Sequence, residues 1–334
     1  MKKLISFLLV ISMIFTLAAC GKEEVVEEKA TDEPIKVALV VTGPVNDGGW
    51  CAVAYEGLLA VEEEFGASVS YTENVQATEM EAVFTDYAAQ GYDVVIGHGF
   101  QFGDPALKVG AKYPDTKFVC IESAVQAKNV ASYVMKCEEA GYLMGVLAAS
   151  MTKTNSIGMV SGMEGPSLIK IVEAYKIGAR EVNPDIKVAQ AYTGSFDDIA
   201  AAKEAAMAMI NGGADVLGHA ANQAGMGVIK AAEENGLLAT GDSYDQNFVA
   251  ENTVMCSTVY NVPILIKAAV SDVINGTFEG AIHELGMAEG VVDIAGYNSF
   301  KDIIPEEVKT KIDDLKKKII SRELVVPVVV EITN

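Results

Sequence analysis

The chain has 334 residues and a formal charge of −21 at neutral pH. That charge excludes a nucleic-acid binder, which must displace condensed counterions with Lys and Arg, and serves solubility. The length exceeds one ordinary core and suits two domains of about 150 residues each.

The first twenty residues, MKKLISFLLVISMIFTLAAC, combine two lysines, a predominantly apolar run and small residues ahead of Cys20. This is the grammar of an export signal. Residues 1–19 are expected to be the signal peptide, and Cys20 the lipidated first residue of the mature protein. Its acyl chains would hold the protein at the extracytoplasmic face of the cell membrane without crossing it. Residues 20–35, acidic and almost without aromatics, are expected to form a flexible tether. No later run is long and apolar enough to span a bilayer. Cys51, Cys120, Cys137 and Cys256 show neither C-x-x-C nor metal-finger spacing. Cys120 and Cys256 lie in strand-like apolar runs and suit the role of small buried hydrophobes.

From Lys36 onward short β-rich runs alternate with helical ones. Strands are expected at KVALVV, ASVSYT, DVVIGH and KFVCIE, with helices over 50–65, 79–90 and 105–112 between them. The pattern then recurs: strands at SIGMVSG, KVAQAY, DVLGH and LLATG, with helices over 167–182, 198–211 and 225–235. Alternation of this kind implies parallel βαβ units. The two series are alike in residues too, since GYDVVIGHG corresponds to GADVLGHA. The fold class is therefore α/β, with two similar, doubly wound parallel-sheet lobes joined by crossover segments. The crossings are expected near 122–129, after Gly241, and near 285–294. This gives an N-terminal lobe of 36–125 plus about 245–285, and a C-terminal lobe of 126–244 plus about 286–322. Further helices are expected over 261–275 and 305–322. The tail LVVPVVVEIT has strand character, interrupted by Pro327, which suits an edge.

Ligands of open parallel sheets bind beyond the carboxyl ends of the strands. Those loops carry Asn46, Asp47 and Trp50 after the first strand, and Phe100, Gln101, Phe102 and Asp104 after the third. In the second series they carry Phe196, Asp197 and Asp198, then Asn222, Gln223 and Gly225, then Asp242, Tyr244 and Asp245, and finally Tyr260 and Asn261. The recurring set is an aromatic ring with a carboxylate or amide. Arg is absent from these loops and Lys nearly so, so a phosphorylated ligand lacks charge-assisted partners. The set suits a neutral or cationic ligand with a flat face, stacked on Trp50, Phe196 or Phe100 and bonded through its hydroxyls to Asp and Asn. A nucleoside fits this description and a nucleotide does not. Asp104, Asp198 and Asp47 also have the position of helix caps.

Metal binding is not expected. His98 and His219 end corresponding strands of the two lobes but lack a third ligand at a telling spacing. Neither a catalytic residue nor a cofactor is called for. GHGFQFG misses the dinucleotide fingerprint by the place of its last glycine, GDSYD resembles a nucleophile elbow only superficially, and there is no Walker loop.

Together with the signal and Cys20, the motifs GPVNDGGWCAVAYEGL, GHGFQFGDPALKVGAKYPDTKF, EEAGYLMGVLAASMTKTNSIGMVSGM, GSFDDIAAAKEAAMAMINGGADV and GDSYDQN resemble the basic membrane protein family. That family includes bacterial purine nucleoside receptor lipoproteins serving ABC importers, and the similarity covers nearly all of the mature chain. The resemblance implies a type I periplasmic-binding-protein fold closing on a nucleoside, with ABC permease and ATPase subunits as partners. It implies that Trp50 and Phe196 sandwich the purine. It places Asp47 and Asp242 at carboxylate positions, Gly225 at a loop glycine, and Glu138 roughly where another acid belongs. Two positions depart from the family pattern: Trp50-Cys51 stands where Phe-Asn is usual, and Tyr260 where purine receptors carry Lys. The alternatives are a sensor of the same fold for another small ring compound and an enzyme acting on nucleosides.

Overall fold

The computed structural model describes residues 33–46 and 49–333, so the expected signal peptide, Cys20, most of the expected tether and Asp47 lie outside the described residues. The strands are β1 (Lys36–Val40), β2 (Ser68–Thr72), β3 (Val94–His98), β4 (Lys117–Ile121), β5 (Val130–Met135), β6 (Ser156–Ser161), β7 (Lys187–Tyr192), β8 (Val216–Ala220), β9 (Leu238–Gly241), β10 (Val254–Tyr260), β11 (Ile282–Leu285) and β12 (Val292–Ile294). The helices are α1 (Trp50–Phe65), α2 (Met80–Ala89), α3 (Gly103–Gly110), α4 (Cys137–Met151), α5 (Pro166–Val182), α6 (Ile199–Asn211), α7 (Gly225–Glu234), α8 (Val262–Ile274) and α9 (Glu306–Ile320).

The strands form two sheets of matching order, β11-β5-β4-β3-β1-β2 and β12-β10-β9-β8-β6-β7. Pairing is parallel everywhere except between β10 and β12. The internal repeat is therefore one of topology as well as residues. β1, β3, β4, β6 and β8 are near-continuous apolar runs because helices cover both faces of each sheet, and all but the first residues of β1 and β4 are buried. The outermost β2 and β7 carry the exposed polar positions of strands with one free edge.

α4 has no polar face. Every residue from Cys137 to Ala149 except Glu139 is buried, as an all-round apolar helix must be. It lies against α5 with backbones in contact: a Cβ on Gly145 would sit 2.0 Å from the Tyr175 carbonyl oxygen, and one on Gly178 2.0 Å from that of Tyr142.

The chain passes between the halves at places other than two of those expected. β5 belongs to the first sheet, so the first crossing follows Met135 and not 122–129. β10 belongs to the second sheet, so the next crossing falls at Asn261 and not just after Gly241. Each half takes one more parallel strand before the chain leaves it, so residues 126–135 go with the first half and 245–260 with the second. The third crossing, between β11 and β12, lies within 285–294. The crossings are laced together: Lys136 N–H donates to the Leu285 carbonyl (2.9 Å) and Asn261 N–H to that of Val291 (2.7 Å).

The tail is not a strand. Residues 325–330 have no regular structure, Val325, Val328 and Val330 are exposed, and only Val326 is buried. Pro327 cannot donate to a ladder, and the segment is held by its end instead. Thr333 donates its N–H (3.0 Å) and its hydroxyl to the buried Glu173 carboxylate and accepts from Lys176 Nζ.

Candidate functional site

In the first half, α1 begins directly at Trp50 after the Gly-rich turn. The indole is half-buried and stacked on the His98 imidazole, with ring centroids 3.9 Å apart and planes at 26°. His98, buried at the carboxyl end of β3, has Nε2 2.9 Å from the Trp50 carbonyl oxygen. A carbonyl can only accept, so Nε2 carries the proton. The same loop presents Phe100, 52% exposed, while Phe102 is fully buried beside Phe84 and plugs the core. Asn46 is exposed in the turn after β1.

In the second half, Phe196 is half-buried, and its ring closes on Gly162, where a Cβ would lie 2.4 Å from the ring. Its carbonyl accepts from Ala224 N–H at 2.8 Å, which ties it to the Asn222 turn. Asn222 adopts φ +47°, a left-handed conformation that Asn tolerates better than most residues. Gly225 is buried because nothing larger fits: a Cβ there would lie 2.1 Å from His219 Nδ1. Asp198 caps α6 by accepting from Ala201 N–H (2.9 Å), as its position predicts. Asp104 instead lies inside the first turn of α3, where no side-chain cap bond forms.

His98 and His219 each serve their own half. His219 Nε2 is 2.8 Å from Gln246 Oε1, which also accepts from Asp242 N–H at 2.9 Å. Burial pushes the His219 imidazole below its ordinary value, against the pull of Asp242 and Gln246. Among the described residues no three His, Cys, Asp or Glu side chains form a metal-sized cluster.

Asp242 is 7% exposed, and three hydroxyls of the protein bond to its oxygens. Oδ1 accepts from Thr258 (2.8 Å) and from the Tyr260 hydroxyl (3.3 Å), and Oδ2 accepts from Ser243 (2.9 Å). Burial, reinforced by Asp242, holds the Tyr260 phenol well above its usual value, so it stays a donor. Asp242 and Tyr260 are thus brought together at the second crossing.

Glu138 lies at the first crossing, in the first turn of α4. It is buried, and its carboxylate stands 3.3 Å from Lys170 Nζ. Glu122, at the end of β4 with φ +59°, accepts from Met135 N–H at 2.6 Å. Burial raises its carboxyl, while Lys170 and the Met135 bond pull it back. Lys170, Glu122 and Gln246 were not legible as site residues. A lysine between Ile169 and Ile171 looks like an ordinary helix position; the available signal was its place in the first turns of a helix that follows a core strand.

Two parallel-sheet halves of the same strand order, joined by three interlaced crossings and carrying aromatic and acidic groups at their strand ends, define a solute-binding protein of the type I periplasmic class. The chain belongs to the Bmp family, ABC transporter substrate-binding protein PnrA-like, whose model matches residues 35–329. The transcriptional activator protein med of Bacillus subtilis is 31% identical over 92% of this chain and 94% of its own length. The ABC transporter nucleoside-binding protein BmpA of Lactococcus lactis is 30% identical over 85% of this chain and 88% of its own. A solute-binding protein of an ABC transporter system from Aeropyrum pernix superposes with a TM-score of 0.76 at 26% identity, covering 88% of this chain and 94% of that one. The protein is accordingly an ABC transporter substrate-binding protein. Among the described residues no helix is long and apolar enough to cross a membrane.

Proposed function

We propose that this protein is the receptor of an ABC importer, anchored through a lipidated Cys20 on the extracytoplasmic face of the membrane, and that it takes a nucleoside, a purine nucleoside first of all, between its two halves. The observation that carries the reading is the pair of half-buried rings at strand ends of separate halves, Trp50 backed by His98 and Phe196 backed by Gly162. A planar base can stack on each. Asn46, Asp47, Asn222 and Asp242 supply acceptors and donors for sugar hydroxyls, Phe100 lines the rim, and Gly225 lets the Asn222 turn approach.

The charge pattern favours a nucleoside over a nucleotide. Glu122, Glu138 and Asp242 converge with Lys170, whose ammonium is already held by Glu138 and the Met135 carbonyl. A phosphate there would face carboxylates with the Lys170 ammonium already engaged. The name of the Lactococcus relative supports the same ligand class. Binding selects the closed arrangement only by its differential affinity for it, after which ABC permease and ATPase subunits would receive the loaded receptor. The chemistry needs neither cofactor nor catalytic residue.

Titration calorimetry with inosine, guanosine, adenosine and the free bases tests the reading: binding of at least one nucleoside is expected, and silence from all of them removes the nucleoside claim. A Cys20→Ser variant released from the membrane fraction tests the anchor. A second reading, a ligand sensor, draws on the Bacillus relative's name as a transcriptional activator. Deletion of the gene separates the two, because a receptor's loss abolishes nucleoside uptake and a sensor's loss leaves uptake intact.

A further inference from the structure

Met135 is the last residue of β5, and both polar groups of its backbone are claimed by charged side chains from different places, the half-buried Glu122 and the buried Lys170. Its N–H donates to Glu122 Oε1 (2.6 Å) from the end of β4. Its carbonyl accepts from Lys170 Nζ (2.6 Å), which reaches across from α5 of the second half. The same ammonium stands 3.3 Å from Glu138, one turn past the crossing, and both side chains are less than a tenth exposed. The ion pair is close but not aligned as a hydrogen bond, since Glu138 Oε2 has none. Lys170 thus acts through two bonds of different kinds on one short stretch of chain, the first passage between halves.

We infer that Lys170 is a positioning residue. It fastens the second half to the Met135 peptide and neutralises Glu138, so that the acidic floor between the halves keeps its shape and charge with no ligand present.

Three features of the surroundings support this role. Carboxylates outnumber ammonium groups there: Glu122, Glu138 and Asp242 converge with Cys137 and the Tyr260 phenol. Burial and the nearby Glu122 hold the Cys137 thiol well above its usual value, so it is neutral and contributes no counter-charge. Burial opposes the charge on Lys170, and the facing Glu122 and Glu138 carboxylates favour it. A buried carboxylate stripped of its only cation is the costly case, far more than loss of the pair as a whole. The first turn of α4 also touches the third crossing, through Glu139, which accepts from Met287 N–H at 2.7 Å. A shift at Glu138 is therefore transmitted to more than one passage.

The test needs no ligand in its first arm. Unfolding midpoints of the native protein, Lys170→Met, Lys170→Arg and Lys170→Met/Glu138→Gln are measured from pH 5.5 to 8. With its ammonium gone, Glu138 binds a proton more readily in the folded protein than in the unfolded chain, so stability is lost as pH rises. The Lys170→Met deficit relative to native is expected to be larger at pH 8 than at pH 5.5 by at least ~4 °C. Adding Glu138→Gln should remove most of that growth, and Lys170→Arg should show little of it. A deficit independent of pH, or one that Glu138→Gln leaves intact, overturns the proposal. Should Lys170→Met fail to fold, Lys170→Arg and Glu138→Gln still decide: Glu138→Gln should lower the acid side no more than the alkaline side, and the reverse order overturns it.

The second arm rests on the nucleoside reading and uses inosine. Affinity should fall at least tenfold in Lys170→Met at pH 8 and recover to within about threefold in Lys170→Arg. An unchanged affinity in Lys170→Met overturns the role in the site. Failure of the native protein to bind inosine sinks the nucleoside reading alone, since the first arm stands without it.

Discussion

Trp50 lies flat on His98, with centroids 3.9 Å apart, and the imidazole in turn holds the Trp50 main chain through its carbonyl, 2.9 Å away. One histidine thus fixes both the ring and the backbone of the residue that opens α1. It fixes the one tryptophan of the chain, so selectively excited tryptophan emission reports on this position alone.

A base stacking on that indole should change its emission. Addition of inosine is expected to shift or quench tryptophan fluorescence saturably. Trp50→Ala should weaken binding at least tenfold while Trp50→Phe keeps most of it, since the ring area and face remain. Calorimetry checks both, and equal affinity in Trp50→Ala would remove the residue from the site.

Asp242 collects three hydroxyl donors, from Thr258, Ser243 and Tyr260. Asp242→Ala leaves them buried without an acceptor, at about 1–3 kcal/mol. The expected result is a lower urea midpoint together with loss of inosine binding. Tyr260→Phe, which removes one donor, should cost about 1 kcal/mol or less.

Helices α4 and α5 touch backbone to backbone at Gly145 and Gly178. Gly145→Ala places a methyl 2.0 Å from the Tyr175 carbonyl, which only separation of the helices can relieve. Overpacking of this kind costs about 1–3 kcal/mol. Denaturant unfolding should show it, and Gly165→Ala, where a Cβ meets nothing within 4 Å, should not show comparable overpacking.

The chain end gives a pH prediction. Burial works to raise the Glu173 carboxyl, but the N–H and hydroxyl of Thr333 and the Lys176 ammonium outweigh it, and it lies below its usual value. A depressed acid contributes stability above its unfolded pKa, near ~4.3, and loses it as pH falls through the lower folded value. The native protein should therefore lose stability more steeply below about pH 4.5 than Glu173→Gln does. Removal of residues 332–334 should flatten the acid limb in the same way. Thermal midpoints from pH 7 down to 3 check both.

Much of the fold is written in the residue pattern. α1 begins at Trp50 and ends at Gly66, a glycine at φ +64° whose N–H returns to Glu62, as the apolar spacing and the glycine together require. The recurring strand–helix alternation and the likeness of GYDVVIGHG to GADVLGHA, the segments of β3 and β8, give the repeat. β5 and α4 were not legible: α4 is buried on nearly every side and shows no clear apolar period, and β5 is a short run that begins directly after the turn at Lys128–Asn129, where the crossing was expected. That omission displaced the first crossing, because the missing strand belongs to the half before it. The tail misleads in the opposite sense, since a run of valines imitates a strand that Pro327 and the end clamp at Thr333 prevent. In the site, single residues could be placed by their strand ends. Lys170 could not, because its meaning comes from Met135 and Glu138, 35 and 32 positions away in sequence.

The late return of the chain has a consequence for assembly. α8 lies against α1 so closely that a Cβ on Gly57 would stand 3.0 Å from Ile266 and 3.1 Å from Pro263, and β11 completes the edge of the sheet begun by β1. The earliest-made half thus stays unfinished, with one helix flank bare and one strand border open, until some 285 residues have been delivered. A fragment cut at the first passage would be sticky and incomplete, because the helix and strand that cover it come only with residues 262–285.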